Sequence, residues 1–319
     1  MKEIIKIDLS PKVYGGRIYE NEVVNQLKED VNFKKVYLIK YKFKLLNAPR
    51  IILLFIKYRY FFKGELFLND RTTFLAGKKS KNYIIIHHID SSYSSKLSIY
   101  FHKITFYWLR KNKNLFHKVI AVSEYWKNHL IKVYNFNFVE VIYNSFDLND
   151  YKIDNEEKKS FFKKYNLDSK PIIYIGNAQE KKGVIDVFNS LKEVNAHIIT
   201  SGRPQVKIDC LNLNLSHREY LVLLSVSKIV ITMSKFLEGW NRTAHEAILL
   251  NTTVIGSGKG GMRELLEKSS QFIIKDFDLL KDLVLEILGN NKEESKNSDF
   301  INSLDLDYFK SSWISIFES

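Results

Sequence analysis

One cysteine in 319 residues, Cys210, excludes a disulfide framework and suits a reducing compartment. Four prolines and 13 glycines are too few for a collagen-like or low-complexity chain, and 45% apolar residues suffice for sizeable cores. Those apolar residues form no long run. The stretch LLNAPRIILLFIKYRYFFK at 45–63 holds only IILLFI uncharged and apolar, far short of the roughly 20 residues of a spanning helix. The N-terminus MKEIIKIDLS is charged every few residues, so no signal peptide is expected and the sequons at Asn214, Asn241 and Asn251 are read as chance. No G-x-G-x-x-G follows a strand, which argues against a dinucleotide oxidoreductase. GSGKGG at 256–261 lacks Walker A spacing, HEAIL is not H-E-x-x-H, and His87 and His88 have no second cluster at metal-ligand spacing.

What is present is charge, unevenly placed. The formal net charge is +13. Residues 1–150 hold 26 Lys and Arg against 13 Asp and Glu, whereas residues 151–319 hold 23 of each. A basic first half points to an anionic partner (membrane headgroups, nucleic acid or a phosphorylated acceptor) or to a lysine-rich solvated surface.

Strands are expected at 3–9, 35–39, 65–68, 83–87, 119–122 and 139–143. Helices are expected between them at 17–29, 45–62 (broken near Pro49), 95–112 and 124–133, where Ser123 and Glu124 supply the cap. The helix at 95–112 is read as a Rossmann-type helix with its apolar face on the sheet. After a charged helix at 155–165, strands at 171–175, 197–200, 228–233 and 253–255 alternate with helices at 184–191, 218–225, from about 242, and at 261–268. Such alternation predicts an α/β chain of two parallel-sheet, Rossmann-like domains, 1–148 and 149–304, facing across a cleft. Ligand loops then lie at the strands' carboxyl ends.

The most informative segment is MSKFLEGWNRTAHEAILLNTTVIGSGKGGMRELLE, 233–267. A strand runs into a polar loop carrying Glu238, then into a helix carrying Glu246 eight positions on. Backbone N–H groups at such a turn make a seat for phosphate, and carboxylates accept from sugar hydroxyls. The frame serine, three residues, Glu-Gly-aromatic, Glu-Ala, a small-residue turn and Gly-Gly-x-x-Glu resembles the nucleotide-sugar half-site of retaining GT-B glycosyltransferases, especially glycosyltransferase family 4. YGG at 14–16, KVIAVSEYWKNHL at 118–130 with VEVIYNSFD at 139–147, and IIYIGNAQEKKGV at 172–184 extend the resemblance over nearly the whole chain. It is strongest after Lys118.

The resemblance implies a GT-B fold whose last helix, 305–319, crosses back to the first domain. It implies transfer of a hexose from a nucleoside-diphosphate-sugar to an acceptor hydroxyl with retained configuration, in surface glycan or glycolipid synthesis. By resemblance, Glu246 holds the ribose hydroxyls, Glu238 those of the transferred sugar, and Lys182 the phosphates. Gly15 and Gly16 lie beside the diphosphate, as do the amides of Gly239, Trp240, Asn241, Arg242 and Thr243. His88 stands where members often carry an active-site histidine, or is a strand-end histidine bonded to backbone. The family's usual arginine is Asn177 here, with Arg242 or Arg203 as a replacement. No metal and no cofactor are implied. The partners are the sugar donor, a glycan or lipid-linked acceptor and an anionic membrane surface, with nucleic acid second; the expected place is the cytoplasm or the membrane's cytoplasmic face. Two alternatives stay open: sugar transfer to nucleic acid, and a non-catalytic binding module. On the basic, aromatic stretch at 45–63, Arg50, Lys57, Arg59 and Lys63 are expected to meet headgroups.

Overall fold

The computed structural model describes residues 1–11, 15–41, 44–90, 92, 96–289 and 299–319. Tyr14 and Ser95, which belong to segments singled out above, lie outside them. The chain divides into two compact units: Met1–Ser145 with Leu306–Ser319, and Phe146–Asp305.

The first unit is built on six parallel strands: β1 (Lys2–Asp8), β2 (Val31–Tyr37), β3 (Glu65–Asn69), β4 (Lys81–Ile86), β5 (Phe116–Ala121) and β6 (Glu140–Val141), in the order β2-β1-β3-β4-β5-β6. Ile4, Ile7, Leu66, Ile84, Ile85 and Ile120 are buried, as expected where helices cover a parallel sheet. The crossovers carry α1 (Gly15–Gln26), α2 (Lys44–Ile56), α3 (Lys96–Lys111) and α4 (Glu124–Tyr134). Ser123 caps α4, its hydroxyl accepting from the Trp126 amide at 3.5 Å.

Several expectations change here. β2 starts at Val31 rather than at 35, because it pairs with β1 along its whole length, from Lys2↔Val31 to Asp8↔Tyr37; the exposed lysines in VNFKKVY hid its start. The helix break near Pro49 does not occur. The proline sits early in α2, where a missing N–H removes a single bond near the helix start, and the winding changes only at the π-helical segment Lys57–Phe61. α3 departs in part from the expected apolar inner face. It buries Leu109 together with His102 and Thr105, with Asn112 just past its end, and leaves Tyr100, Ile104 and Tyr107 exposed beside Lys103, Arg110 and Lys111, so its inner face is mixed. The reason lies in its neighbour, the short turn Thr73–Leu75. Thr73 donates to the Thr105 carbonyl (2.9 Å), and Asn112 donates to the Thr73 carbonyl (3.1 Å). Polar inner groups are what this irregular backbone requires.

The second unit has β7 (Ile172–Asn177), β8 (His197–Ser201), β9 (Leu211–Leu213), β10 (Ile229–Thr232), β11 (Thr253–Gly256) and β12 (Phe272–Ile273), ordered β12-β11-β10-β7-β8-β9, all parallel. Its helices are α5 (Asn155–Lys164), α6 (Val184–Leu191), α7 (His217–Val226), α8 (Arg242–Leu249), α9 (Gly261–Lys268), α10 (Leu280–Gly289) and the single turn α11 (Asp299–Asn302). α5 and α7 each begin with a full capping box, Asp154 with Glu157 and Ser216 with Glu219. The core runs from Ile173, Ile229, Ile231 and Ile255 to Val184, Val187 and Leu191 of α6.

The last helix, α12 (Leu306–Glu318), belongs to the first unit. Phe309, Trp313 and Phe317 are buried; the Trp313 indole donates to the Tyr19 hydroxyl at 3.2 Å, and that hydroxyl donates to the Ile142 carbonyl at 2.9 Å. Among the described residues, no helix is long and apolar enough to cross a membrane. Nor does any group of three His, Cys, Asp or Glu side chains there suit a metal ion.

Candidate functional site

In the second unit the loops after β7, β10 and β11 gather the singled-out residues. Glu238 is buried, and its Oε1 accepts from Lys182 Nζ (2.6 Å), Ser234 Oγ (2.5 Å) and Asn241 Nδ2 (3.4 Å). Asn241 also caps α8, accepting from the Ala244 amide at 2.9 Å. The backbone of Glu238 is tied to the next loop: its amide donates to the Lys259 carbonyl (3.3 Å), and the Gly261 amide donates to its carbonyl (2.9 Å). Gly260 has φ +67° there, and a Cβ on it would lie 2.3 Å from the Glu238 carbonyl oxygen. Only glycine permits that approach.

Lys182 ends a short helical turn, Glu180–Lys182, followed by Gly183 at φ +73°. A Cβ on Gly183 would lie 2.3 Å from the Met233 carbonyl oxygen, so the glycine lets the lysine turn press on the end of β10. The Lys182 side chain keeps 30% exposure and rests over the Phe236 ring, 5.1 Å from its centre.

Glu246 is buried on α8. Its Oε2 accepts from the Tyr220 hydroxyl at 2.9 Å, and its Oε1 lies 3.5 Å from Arg242 Nη2. Burial raises its pKa above the usual carboxylate value, while Arg242 and the Tyr220 bond pull against that rise. Arg242 also stacks on Phe146, 4.3 Å from the ring centre. Thr243 accepts from the Tyr220 hydroxyl at 3.3 Å. Gly239 is buried. Trp240 is turned inward, its indole donating to His245 Nδ1 at 3.1 Å. Burial, helped by the Arg242 charge, lowers the His245 pKa to about 3 and keeps the imidazole neutral. Asn177 ends β7 half-buried, and Arg203 is exposed.

In the first unit, charges that the sequence reading did not single out meet at the carboxyl ends of β1, β3 and β4. Lys6 Nζ lies 2.6 Å from Asp8 Oδ1 and 2.7 Å from Glu20 Oε2, and Arg17 pairs with both carboxylates. Asn69 Nδ2 donates to Glu20 Oε1 at 3.0 Å, and His87 Nε2 lies 3.3 Å from the same oxygen. Burial alone would raise the Glu20 pKa; His87 and Lys6 outweigh it and hold the carboxyl well below the usual range.

The histidine that packs against the start of α1 is His87. A Cβ on Gly16 would come within 2.8 Å of the His87 ring, whereas one on Gly15 would meet nothing within 4 Å. Side chains alternate at a strand's end, so of two adjacent histidines only one turns onto α1; His88 follows half-buried. The signal for the charge cluster was present in EIIKID, where a lysine and an aspartate share the face of a buried strand. For Tyr220, on an ordinary amphipathic helix, there was none.

No protein-family model matches the sequence, and no curated protein matches it significantly. Solved structures match over the full length. Anabaena HepE, solved with UDP and glucose, is similar at TM-score 0.78 and 13% identity, covering 100% of both chains. Sucrose-phosphate synthase from Thermosynechococcus elongatus is similar at TM-score 0.79 and 14% identity, covering 100% of this chain and 98% of that one. WaaG, a glycosyltransferase involved in lipopolysaccharide biosynthesis, is similar at TM-score 0.69 and 11% identity, covering 98% of this chain and 99% of that one. With two six-stranded parallel sheets matched end to end, the chain has the α/β fold of the GT-B glycosyltransferases.

Proposed function

We propose that the protein transfers a hexose from a nucleoside-diphosphate-sugar to an acceptor hydroxyl with retention of configuration. The observation that carries this reading is the pair of buried carboxylates, Glu238 and Glu246, on one strand–loop–helix segment, with Lys182 at 2.6 Å from the first. Glu246, aligned by Tyr220, accepts from the ribose hydroxyls, and Glu238 from the sugar. Lys182 meets the diphosphate, and the start of α8 adds its dipole. In transfer the bond from the anomeric carbon to the diphosphate breaks, a bond to the acceptor oxygen forms, and the acceptor's proton passes to the departing phosphate. The leaving group is an anion, so Lys182 stabilises charge that grows along the reaction.

On the first unit we read His87, braced by Glu20 and admitted by Gly16, as the site's histidine, one position before the His88 that the resemblance singled out. Arg242 serves the phosphates in place of Asn177, from a resting position against Phe146 and Glu246. The reading needs no resident metal. The acceptor is a surface glycan or glycolipid precursor at the cytoplasmic face of a membrane. The fold likeness to HepE, solved with UDP and glucose, favours a uridine donor.

A thermal-shift panel of UDP-, GDP-, ADP- and dTDP-sugars tests it. A donor at a hundred times its Kd adds about 2.7 kcal/mol to stability. Glu246→Ala and Lys182→Ala should each weaken binding and transfer by about 2–5 kcal/mol while the protein stays folded, and EDTA should change neither. Wild-type turnover in both variants, or no response to any sugar nucleotide, sinks the assignment.

A further inference from the structure

We propose that α2, the π-helical segment after it and α3 form one docking face for an anionic lipid surface. Six large apolar side chains there, Ile52, Leu53, Phe61, Tyr100, Ile104 and Tyr107, are 54–71% exposed. On α3 the spacing 100, 104, 107 sets them along one side of the helix, while His102, Thr105 and Leu109 are buried on the other. A surface helix in water normally keeps large apolar side chains such as Tyr100, Ile104 and Tyr107 on its inner face. The two segments are neighbours: Phe55 meets Trp108 at 6.1 Å between ring centres, and the Arg59 guanidinium lies 5.3 Å from the Trp108 ring.

The surrounding charge chooses the occupant. No acidic residue lies between Asp30 and Glu65, or between Asp90 and Glu124. Lys57, Lys63, Lys103 and Lys111 are exposed among the apolar side chains. Lys103 Nζ lies 5.8 Å from the Tyr100 ring centre, and Lys111 Nζ 5.5 Å from that of Tyr107. Exposed aliphatic side chains do nothing for a phosphate backbone in water, and a face of cations alone repels a second copy of itself. Apolar side chains ringed by lysines suit an interface where rings and aliphatics enter and ammonium groups meet headgroups.

Two arginines expected to share that work do not. Arg59 is buried and donates to the Ala76 carbonyl at 2.6 Å, and Arg50 donates to the Tyr37 carbonyl at 3.0 Å. They hold the face together, and the lysines do the binding.

This face rests on the sugar-transfer reading only for its purpose, since it would hold the enzyme beside a lipid-linked acceptor. Sedimentation with vesicles of phosphatidylglycerol and phosphatidylcholine, against phosphatidylcholine alone, tests the binding itself. Wild type should pellet with anionic vesicles at low salt, and little with neutral ones. Lys57→Glu with Lys103→Glu, and separately Leu53→Ser with Ile104→Ser, should each weaken binding at least about tenfold. The thermal shift with a UDP-sugar should be unchanged in both double variants, so a protein that binds vesicles and no donor would keep this face and lose the other reading. Wild type left in the supernatant, or equal binding to neutral vesicles, overturns the proposal. So does a self-association abolished by Leu53→Ser, or a DNA shift abolished by the lysine pair while vesicle binding stays intact.

Discussion

Both sheets collect charge at the carboxyl ends of their strands, yet the two collections are built differently. In the first unit Lys6, Asp8, Arg17 and Glu20 are all at most 3% exposed, and two cations answer two carboxylates among themselves. In the second, Glu238 and Glu246 are also buried, but their cations keep 30% exposure at Lys182 and 26% at Arg242. A desolvated cation cannot leave its carboxylate without a large penalty. One at the edge of solvent can exchange a carboxylate for a phosphate at small cost. The contrast separates charge sealed inside a fold from charge that solvent can reach.

The hardest way to break the contrast is to neutralise one lysine from each set. Lys6→Met leaves two buried carboxylates to share the single cation Arg17 and should cost about 3–5 kcal/mol, read as a lower urea midpoint. Lys182→Met should cost on the order of 1 kcal/mol of stability, because Ser234 and Asn241 still donate to Glu238. Equal losses would erase the distinction. A smaller effect separates the two glycines of α1. Gly16→Ala pushes a methyl against the His87 ring and should cost about 1–3 kcal/mol, with a fall in kcat. Gly15→Ala, with open space around it, should stay within about 1 kcal/mol of wild type. If the two behave alike, His87 is not held by that contact.

A third test is acid. His245 has its pKa lowered by burial from 6.5 to about 3, so the unfolded state takes up a proton that the folded state refuses. The stability from a neutral His245 is complete above pH 6.5 and drains as pH falls toward 3, by up to roughly 1.4 kcal/mol per pH unit. His245→Asn, which keeps an acceptor for Trp240, should flatten that slope in pH-dependent melts; an unchanged slope would assign it to other groups.

How much of this could be read in the sequence depended on whether the controlling contact was local. The strand–loop–helix around Glu238, the cap at Ser123 and the bounds of α6 and α9 are set by nearby residues, and the pattern disclosed them. The start of β2 was missed because it depends on pairing with β1, and the polar part of α3's inner face because it answers a turn some thirty residues earlier. The contact of His87 with Gly16 was hidden for the same reason. Nothing in HHID tells which ring turns onto Gly16. Tyr220, 26 positions from Glu246, meets it only through the folded chain.

The Glu238 loop and the loop through Gly260 share a backbone ladder so close that a single methyl on Gly260 would force them apart. The two stretches are separated in the chain by the whole of α8 and β11, yet they are one inheritable part. Chimeras that import the Glu238 loop from a relative should therefore exchange residues 234–243 and 257–261 together. Swapping either alone would seat the new carboxylate on a frame shaped for the old one.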